Sequence, residues 1–447
     1  MTHASSRRHF IRAAAAGVSA PFILPSRIWG AETSPNARIR MGFVGMGTQA
    51  RGLLSKFLQY PEVQVVAVCD VDTTRRTDTK QTVDQKYSNT DCKSFNDFRE
   101  ITENPDIDAV CIATPDHWHA FITISALTHG KDVYCEKPLT HNIHEAVTVT
   151  KVARDNKRVL QTGSMQRSMS EFRIASELVR NGVIGKITNI GIDIGDPAVP
   201  NHNPEEAMEP GLDWDRWCGP GPLAPYSSVL SPRGRHKNFP QWRMTREYGG
   251  GMITDWGAHH IDIAQWGLGM DENGPVEIIA PENWNDPHAR GAKLVYANGT
   301  LLEHKKAEDG MGGASFFGTG GEVHVNRGKF CLILEGKTVH KFWDKENDKG
   351  TSLDREVVLT EREFLADAKV KLYKSKDQLA DFLACVKSRK KPVCDVGIGA
   401  SSAIACHLMN QAYYHGGTQK WNPETHEYIS GGDPKWLTRD YRGEWKV

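Results

Sequence analysis

Gly45-Met46-Gly47-Thr48-Gln49-Ala50 follows an apolar run at 41–44 and opens a helical pattern. In this Gly-x-Gly-x-x-Ala turn, Gly45 permits the sharp bend. Gly47 lets the backbone approach a pyrophosphate, and Ala50 lets the helix lie close to the strand. Unpaired N–H groups at the helix start, around Thr48 and Gln49, suit phosphate oxygens. Asp70 closes the next apolar run, 65–69, about twenty residues on. There a carboxylate accepts hydrogen bonds from an adenosine ribose. Strand, turn, helix and placed acid together point to dinucleotide binding.

Three further clusters carry chemistry. Thr114-Pro115-Asp116-His117-Trp118-His119 follows the strand-like run at 109–113, and Glu136-Lys137-Pro138 follows the one at 132–135. Asp255 and His259 lie in Gly249–Asp262, which opens a helix. Residues four apart on a helix share a face, so both can point into one cleft. As an isolated pair they read equally as a helix cap and a satisfied core histidine. Glu136-Lys137 alone reads also as a surface ion pair. His259 and His260 are adjacent and point to different sides of a helix, so no metal site is read there, nor at His117 and His119.

In order, G-x-G-x-x-A, Asp70, T-P-x-x-x-H, E-K-P and D-x-G-x-H-x-x-D resemble the Gfo/Idh/MocA oxidoreductases from about residue 38 to about 415. The resemblance implies that Lys137 sits by the nicotinamide and the reacting hydroxyl, and that Asp255 and His259 are the catalytic aspartate and histidine. Removing hydride from an alcohol carbon also requires the hydroxyl proton to leave. Histidine suits that role, and a neighbouring ammonium can hold the developing alkoxide. The reading is His259 as general base, Lys137 as electrostatic aid or relay, and Asp255 as substrate ligand or partner of the base. Gly45, Gly47, Thr48, Gln49, Asp70, Thr114, Pro115, His119, Glu136 and Lys137 are the expected cofactor contacts. Asp72 is an alternative ribose ligand. Arg75 and Arg76 offer a 2′-phosphate site, but the Asp70 carboxylate would repel that phosphate, so NAD is expected ahead of NADP.

The elements that must position these groups follow from pattern. Residues 39–44, 63–69, 109–113, 132–135 and 159–163 read as buried strands. Helical runs at 49–58, 96–103, 119–128 and 143–156 lie between them. This predicts a parallel sheet covered on both faces, a Rossmann domain over 35–164. A strand at 185–195 and a long Pro-, Gly- and Trp-rich segment at 196–250 come next. Then a helix at 252–266, strand-like pieces at 276–334 with an Asn298-Gly299 hairpin signal, and two helices at about 377–388 and 399–414 complete the second domain. The fold class is α/β: a Rossmann domain, then an α+β domain at 165–415 with an open mixed, mostly antiparallel sheet. Residues 416–447 are expected to be an irregular tail. In the long segment Trp214, Trp217, Trp242 and Arg243 suit a sugar or polyol, flat faces below and hydrogen bonds at the edges. A lid or subunit contact is the other reading of that segment.

The chain has 447 residues, with 55 basic against 55 acidic, so no basic stripe suggests nucleic acid. Its nine cysteines are scattered and include no C-x-x-C pair, unlike a disulfide framework or zinc site. Ser6-Arg7-Arg8-His9-Phe10-Ile11-Arg12 and the apolar run at 13–24 have the form of a twin-arginine export signal over 1–31. The expectation is an exported, periplasmic oxidoreductase of a sugar, glycoside or polyol hydroxyl, holding NAD tightly, homo-oligomeric through its open sheet, with no membrane anchor once the signal is cleaved. Two rivals are an NAD-dependent glycosidase working by oxidation, elimination and reduction, and a non-catalytic carbohydrate-binding protein on the same fold.

Overall fold

The computed structural model describes residues 37–307 and 310–447. The expected twin-arginine signal at 1–31 lies outside the described residues. The first domain alternates β1 (Ile39–Val44), α1 (Thr48–Phe57), β2 (Val63–Cys69), α2 (Thr73–Tyr87), β3 (Lys93–Phe95), α3 (Arg99–Thr102), β4 (Ala109–Ile112), α4 (Asp116–Thr128), β5 (Asp132–Cys135), α5 (Ile143–Asp155) and β6 (Leu160–Thr162). The strands pair in parallel in the order β3-β2-β1-β4-β5-β6. That order reverses direction between β1 and β4, which opens a crevice at their carboxyl ends. Apolar runs make the strands. On α1 the buried set Ala50, Leu53, Leu54 and Phe57 recurs at helical spacing and packs on the sheet. Sequence pattern missed α2 because it buries only Thr79 and Val83. It is held by its cap: the Asp72 carboxylate accepts from Thr74 N and Arg75 N.

The second domain begins with α6 (Ser170–Arg180) and β7 (Ile187–Asp193). The long segment carries one short α-helix, α7 (Trp214–Cys218), and a 3-10 helix at Gln241–Met244. Then come α8 (Gly251–Asp255), α9 (Gly257–Leu268), β8 (Glu277–Ile279), β9 (Lys293–Val295), β10 (Leu301–His304), β11 (Gly313–Gly318), β12 (Gly321–Asn326), β13 (Lys329–Leu334), β14 (Lys337–Phe342), α10 (Leu353–Phe364), α11 (Gln378–Ser388), α12 (Val396–His415), β15 (Thr418–Asn422) and β16 (Glu427–Ser430). The strands form one ten-stranded sheet, β14-β13-β12-β11-β7-β10-β9-β8-β15-β16. Only β7 and β10 pair in parallel, as the mixed sheet predicted. Ile190, Ile192, Phe316, Val323, Val325 and Leu332 are buried in the main core with residues of α6 and α9. Helix α12 is buried along most of its length and touches both α5 of the first domain and α9 of the second.

Two expectations are corrected. The helix expected at 252–266 is broken at Trp256 into α8 and α9. The tail is not irregular, because β15 and β16 complete the sheet edge. Beyond them the chain returns to the first domain, where Trp445 packs on Trp118 with ring centroids 4.8 Å apart and Tyr441 on Phe121 at 5.2 Å.

Candidate active site

The crevice at the carboxyl ends of β1 and β4 opens into a cleft of about 510 Å³. At one end stands the glycine turn. Gly45 has φ +82°, and a Cβ there would lie 2.7 Å from Thr114 Cγ2. A Cβ on Gly47 would meet no protein atom within 4 Å, and no side chain caps α1. The backbone therefore leaves a bay beside the free N–H groups of a helix start, which fits a pyrophosphate. The Asp70 carboxylate lies in the same wall and accepts from Met46 N at 2.6 Å and Asp72 N at 2.8 Å. Burial raises its pKa, against the lowering effects of Arg75 and these two bonds.

Asp72 is committed elsewhere. It caps α2 and pairs with Arg233 Nε at 2.8 Å. Arg76 donates to Asp70 O at 2.9 Å and Asn96 Oδ1 at 3.1 Å. Arg75 donates to the carbonyls of Pro232 and Gly234. The groups that would mark a 2′-phosphate site are thus occupied with protein acceptors, which favours NAD.

The segment 196–250 is the lid reading of the sequence. It has its own small core of Trp214, Trp217, Tyr226, Trp242 and Tyr248. It lies along the sheet edge through Thr73 N to Gly211 O at 2.9 Å, Asp213 N to Val71 O at 3.1 Å and a His117–Trp217 O contact of 2.9 Å. Leu230–Pro232 and His236–Pro240 then line the same cleft as Gly47 and Asp70. Trp217, Trp242 and Arg243 also line it. Trp214 does not: it stacks behind Trp217 at 4.4 Å and donates to Ala224 O. Trp214 is therefore corrected to a packing residue of the lid.

Thr114, Pro115, His119 and Glu136 form the middle of the cleft. The His119 ring bridges Pro138 O at 2.7 Å and Thr114 O at 3.0 Å, tying the loop after β5 to the loop after β4. Burial pushes its pKa down to about 4, against the raising effect of these two carbonyls; the neutral ring donates to one of them and lies against the other. Glu136 is buried. It accepts from Gln49 Nε2 at 2.8 Å, and burial raises its pKa.

At the far end Lys137 Nζ donates to Asp255 Oδ1 at 2.5 Å and to Asp255 O at 2.9 Å. Arg243 Nε lies 3.8 Å from the same carboxylate. Burial alone would raise the Asp255 pKa, but Lys137, Arg243 and Arg327 together hold it below the usual range. His259 is buried beside this group. Burial, then Lys137 and Arg327, lower its pKa well below the ordinary value, so the imidazole is neutral. The break at Trp256 does not separate Asp255 and His259, since both line the cleft. Trp256 stacks on His260 at 5.8 Å, which turns His260 into packing.

Several cleft residues escaped sequence reasoning. Asp116, quoted in its motif without a role, lines the cleft at the first turn of α4; burial and then Asp255 push its pKa well up. Met165, Trp256 and Arg327 also line it. Arg327 comes from the turn between β12 and β13 and carries no local motif.

Comparison with known proteins decides the family. The model described as "Oxidoreductase family, NAD-binding Rossmann fold" matches residues 39–164, and its companion, the C-terminal alpha/beta domain, matches 198–355. The chain belongs to the Gfo/Idh/MocA oxidoreductase family. Its first domain is an NAD-binding Rossmann domain of that family. Among its relatives, an inositol 2-dehydrogenase of Rhodococcus jostii is 34% identical over 110 residues, 24% of this chain and 30% of that protein. A glycosyl hydrolase family 109 protein of Saccharopolyspora erythraea is 29% identical over 157 residues, 33% of each chain. The chain thus spans about a third of the length of these curated relatives. Aldose-aldose oxidoreductase from Caulobacter crescentus superposes with a TM-score of 0.56 at 17% identity, over 86% of this chain and 99% of that one. Levoglucosan dehydrogenase gives 0.54 at 16%, over 85% and 98%. At these identities the solved structures establish the shared two-domain fold of this family member.

Proposed function

We propose that this chain is an exported oxidoreductase that removes hydride from a CH–OH group of a sugar, glycoside or polyol, with NAD held tightly in the cleft. The observation that carries the reading is the convergence of Lys137, Asp255 and His259 on the cleft whose other end is the Gly47 bay. NAD, when bound, supplies the hydride acceptor. Gly45, Gly47, Thr48, Gln49, Asp70, Thr114, Pro115 and Glu136 would hold it. The neutral His259 imidazole takes the hydroxyl proton. Two of the three N–H groups of Lys137 Nζ are used by Asp255, and the third is left to hold the developing alkoxide. Asp255 fixes that ammonium. The segment 230–243 covers the cofactor, excludes water and retains it.

Export is supported by the Arg7-Arg8 motif and the apolar run after it. An enzyme outside the cytoplasm needs a cofactor that recycles in place, and a closed lid suits that. The names of the family 109 relatives favour a second reading, in which oxidation acidifies the neighbouring C–H, the glycosidic substituent is eliminated, water adds in its place, and reduction restores the alcohol. Asp116, pushed toward its protonated form, is a ready acid for the leaving oxygen.

The test is to incubate the purified protein with carbon-deuterated sugars, polyols and glycosides and analyse the nicotinamide by mass spectrometry. Deuterium on the ring, abolished by His259→Gln, is expected. Nucleotide that stays unlabelled with every substrate while remaining bound would leave a binding protein instead.

A further inference from the structure

The reacting end of the cleft carries three cations, Lys137, Arg243 and Arg327, and one committed carboxylate, Asp255. Lys137 is paired with Asp255 at 2.5 Å. Arg243 reaches the same oxygen only at 3.8 Å, and among the described ion pairs Arg327 has none. Nη1 of Arg243 and Nε of Arg327 are buried without a hydrogen-bond partner in the protein. The other two carboxyls near this end of the cleft do not answer them. Glu136 accepts from Gln49 and Lys137 N, and Asp116 leans toward its neutral acid.

Both guanidinium groups are nevertheless oriented. Arg327 Cζ lies 4.8 Å from the centroid of the Trp256 ring. Arg243 Cζ lies 4.4 Å from the Trp242 ring and 4.6 Å from the Phe239 ring. An aromatic face fixes the plane of a guanidinium without using its edge donors. Planar forks with free N–H groups at a desolvated site suit an oxyanion. The pyrophosphate has its own place at the Gly47 bay, against α1, so these two arginines belong to what is bound beside Lys137 and His259.

We propose that the sugar bound here carries a carboxylate, as a uronic acid does, and that Arg243 and Arg327 hold it while Lys137, Asp255 and His259 address the hydroxyl. This rests on the reading of the cleft as a sugar site and narrows it to acidic sugars. A single negative charge matches a reacting end with more cations than ionised acids.

The test is calorimetric binding to the protein as purified with its nucleotide. The probes are D-glucuronate, D-galacturonate and D-gluconate, their neutral counterparts D-glucose and D-galactose, and D-glucose 6-phosphate. At least one acidic probe is expected to bind about tenfold or more tightly than its neutral counterpart, the scale of a charge-assisted hydrogen bond. Arg327→Gln and Arg243→Gln should each lower that affinity about tenfold and lower the ratio of acidic to neutral affinity with it. Neutral sugars binding as tightly, no acidic probe binding, or a doubly substituted protein keeping its preference would overturn the proposal. Preference for the phosphate ester would overturn the carboxylate. An acidic sugar bound but never oxidised upholds it and counts against the oxidoreductase reading. A neutral sugar oxidised and bound as tightly does the reverse.

Discussion

Replacing Lys137 by Met keeps the length of the side chain and removes its charge, which isolates what the ammonium does. In the structure Nζ has two partners, both on Asp255, at 2.5 and 2.9 Å. Its loss has two separable consequences. The transition state loses a donor to the developing alkoxide, worth about 2.7–4 kcal/mol, or about 10²- to 10³-fold in kcat. The folded state is left with a part-buried carboxylate whose nearest cationic partner is Arg243 Nε at 3.8 Å. Breaking a fully buried pair costs about 3–5 kcal/mol. Because Arg243 and Arg327 remain, the loss here should fall at or below about 3 kcal/mol. Adding Asp255→Asn should restore much of that stability and none of the rate. Urea unfolding of the two single variants and the double variant, with single-turnover absorbance at 340 nm, gives both numbers. Nucleotide content should stay at the wild-type value, since the Gly47 bay is untouched. A variant that keeps its rate within a few-fold, or loses rate only in proportion to lost nucleotide, would refute this role for Lys137.

Four more outcomes follow from the same geometry. Gly47→Val places its side chain in the bay beside α1, where no protein atom lies within 4 Å of the new Cβ; it should purify free of nucleotide and unfold at the Tm of the unaltered protein stripped of its nucleotide. Arg233→Ala removes the ion pair to Asp72 at 2.8 Å that ties the lid to α2, and should speed nucleotide loss on dilution about tenfold or more, read by fluorescence. The active form of His259 is neutral, and its folded pKa lies below the ordinary 6.5. The acid limb of kcat/KM should therefore fall below pH 6.5, with activity flat through 6.5 and lost as pH drops further; a limb at or above 6.5 would contradict the burial argument. Arg7→Lys with Arg8→Lys should leave the protein in the cytoplasmic fraction of cells, and the unaltered chain is expected outside it.

Much of the first domain was legible because its signals are local. The strands Ile39–Val44, Val63–Cys69 and Asp132–Cys135 fall where the apolar runs put them, since a parallel strand buried on both faces writes a continuous run. Helix α2 was not legible, because a polar helix held by its Asp72 cap has no apolar stripe. In the second domain Gly299, at φ +84°, makes the turn that Asn298-Gly299 announced. Strand β15 was missed because its partner β8 lies far away in sequence, and β16 is an edge strand that pairs with β15 alone. The site divides the same way. Lys137, Asp255 and His259 sit in short motifs and meet in the cleft. Arg327 reaches it from a hairpin turn that only the tertiary fold brings to Trp256, and Trp214 was misassigned because its neighbours resemble those of Trp217.

The account rests on a nicotinamide dinucleotide in the cleft between the Gly47 bay and Lys137. The most direct measurement is to purify the chain without added nucleotide, denature it, and assay the supernatant for NAD(H) and NADP(H). Near-stoichiometric NAD(H) with little NADP(H) is the predicted result. A protein that releases neither, and binds added NAD no better than weakly, would contradict the closed lid, the cofactor assignment and the chemistry built on both.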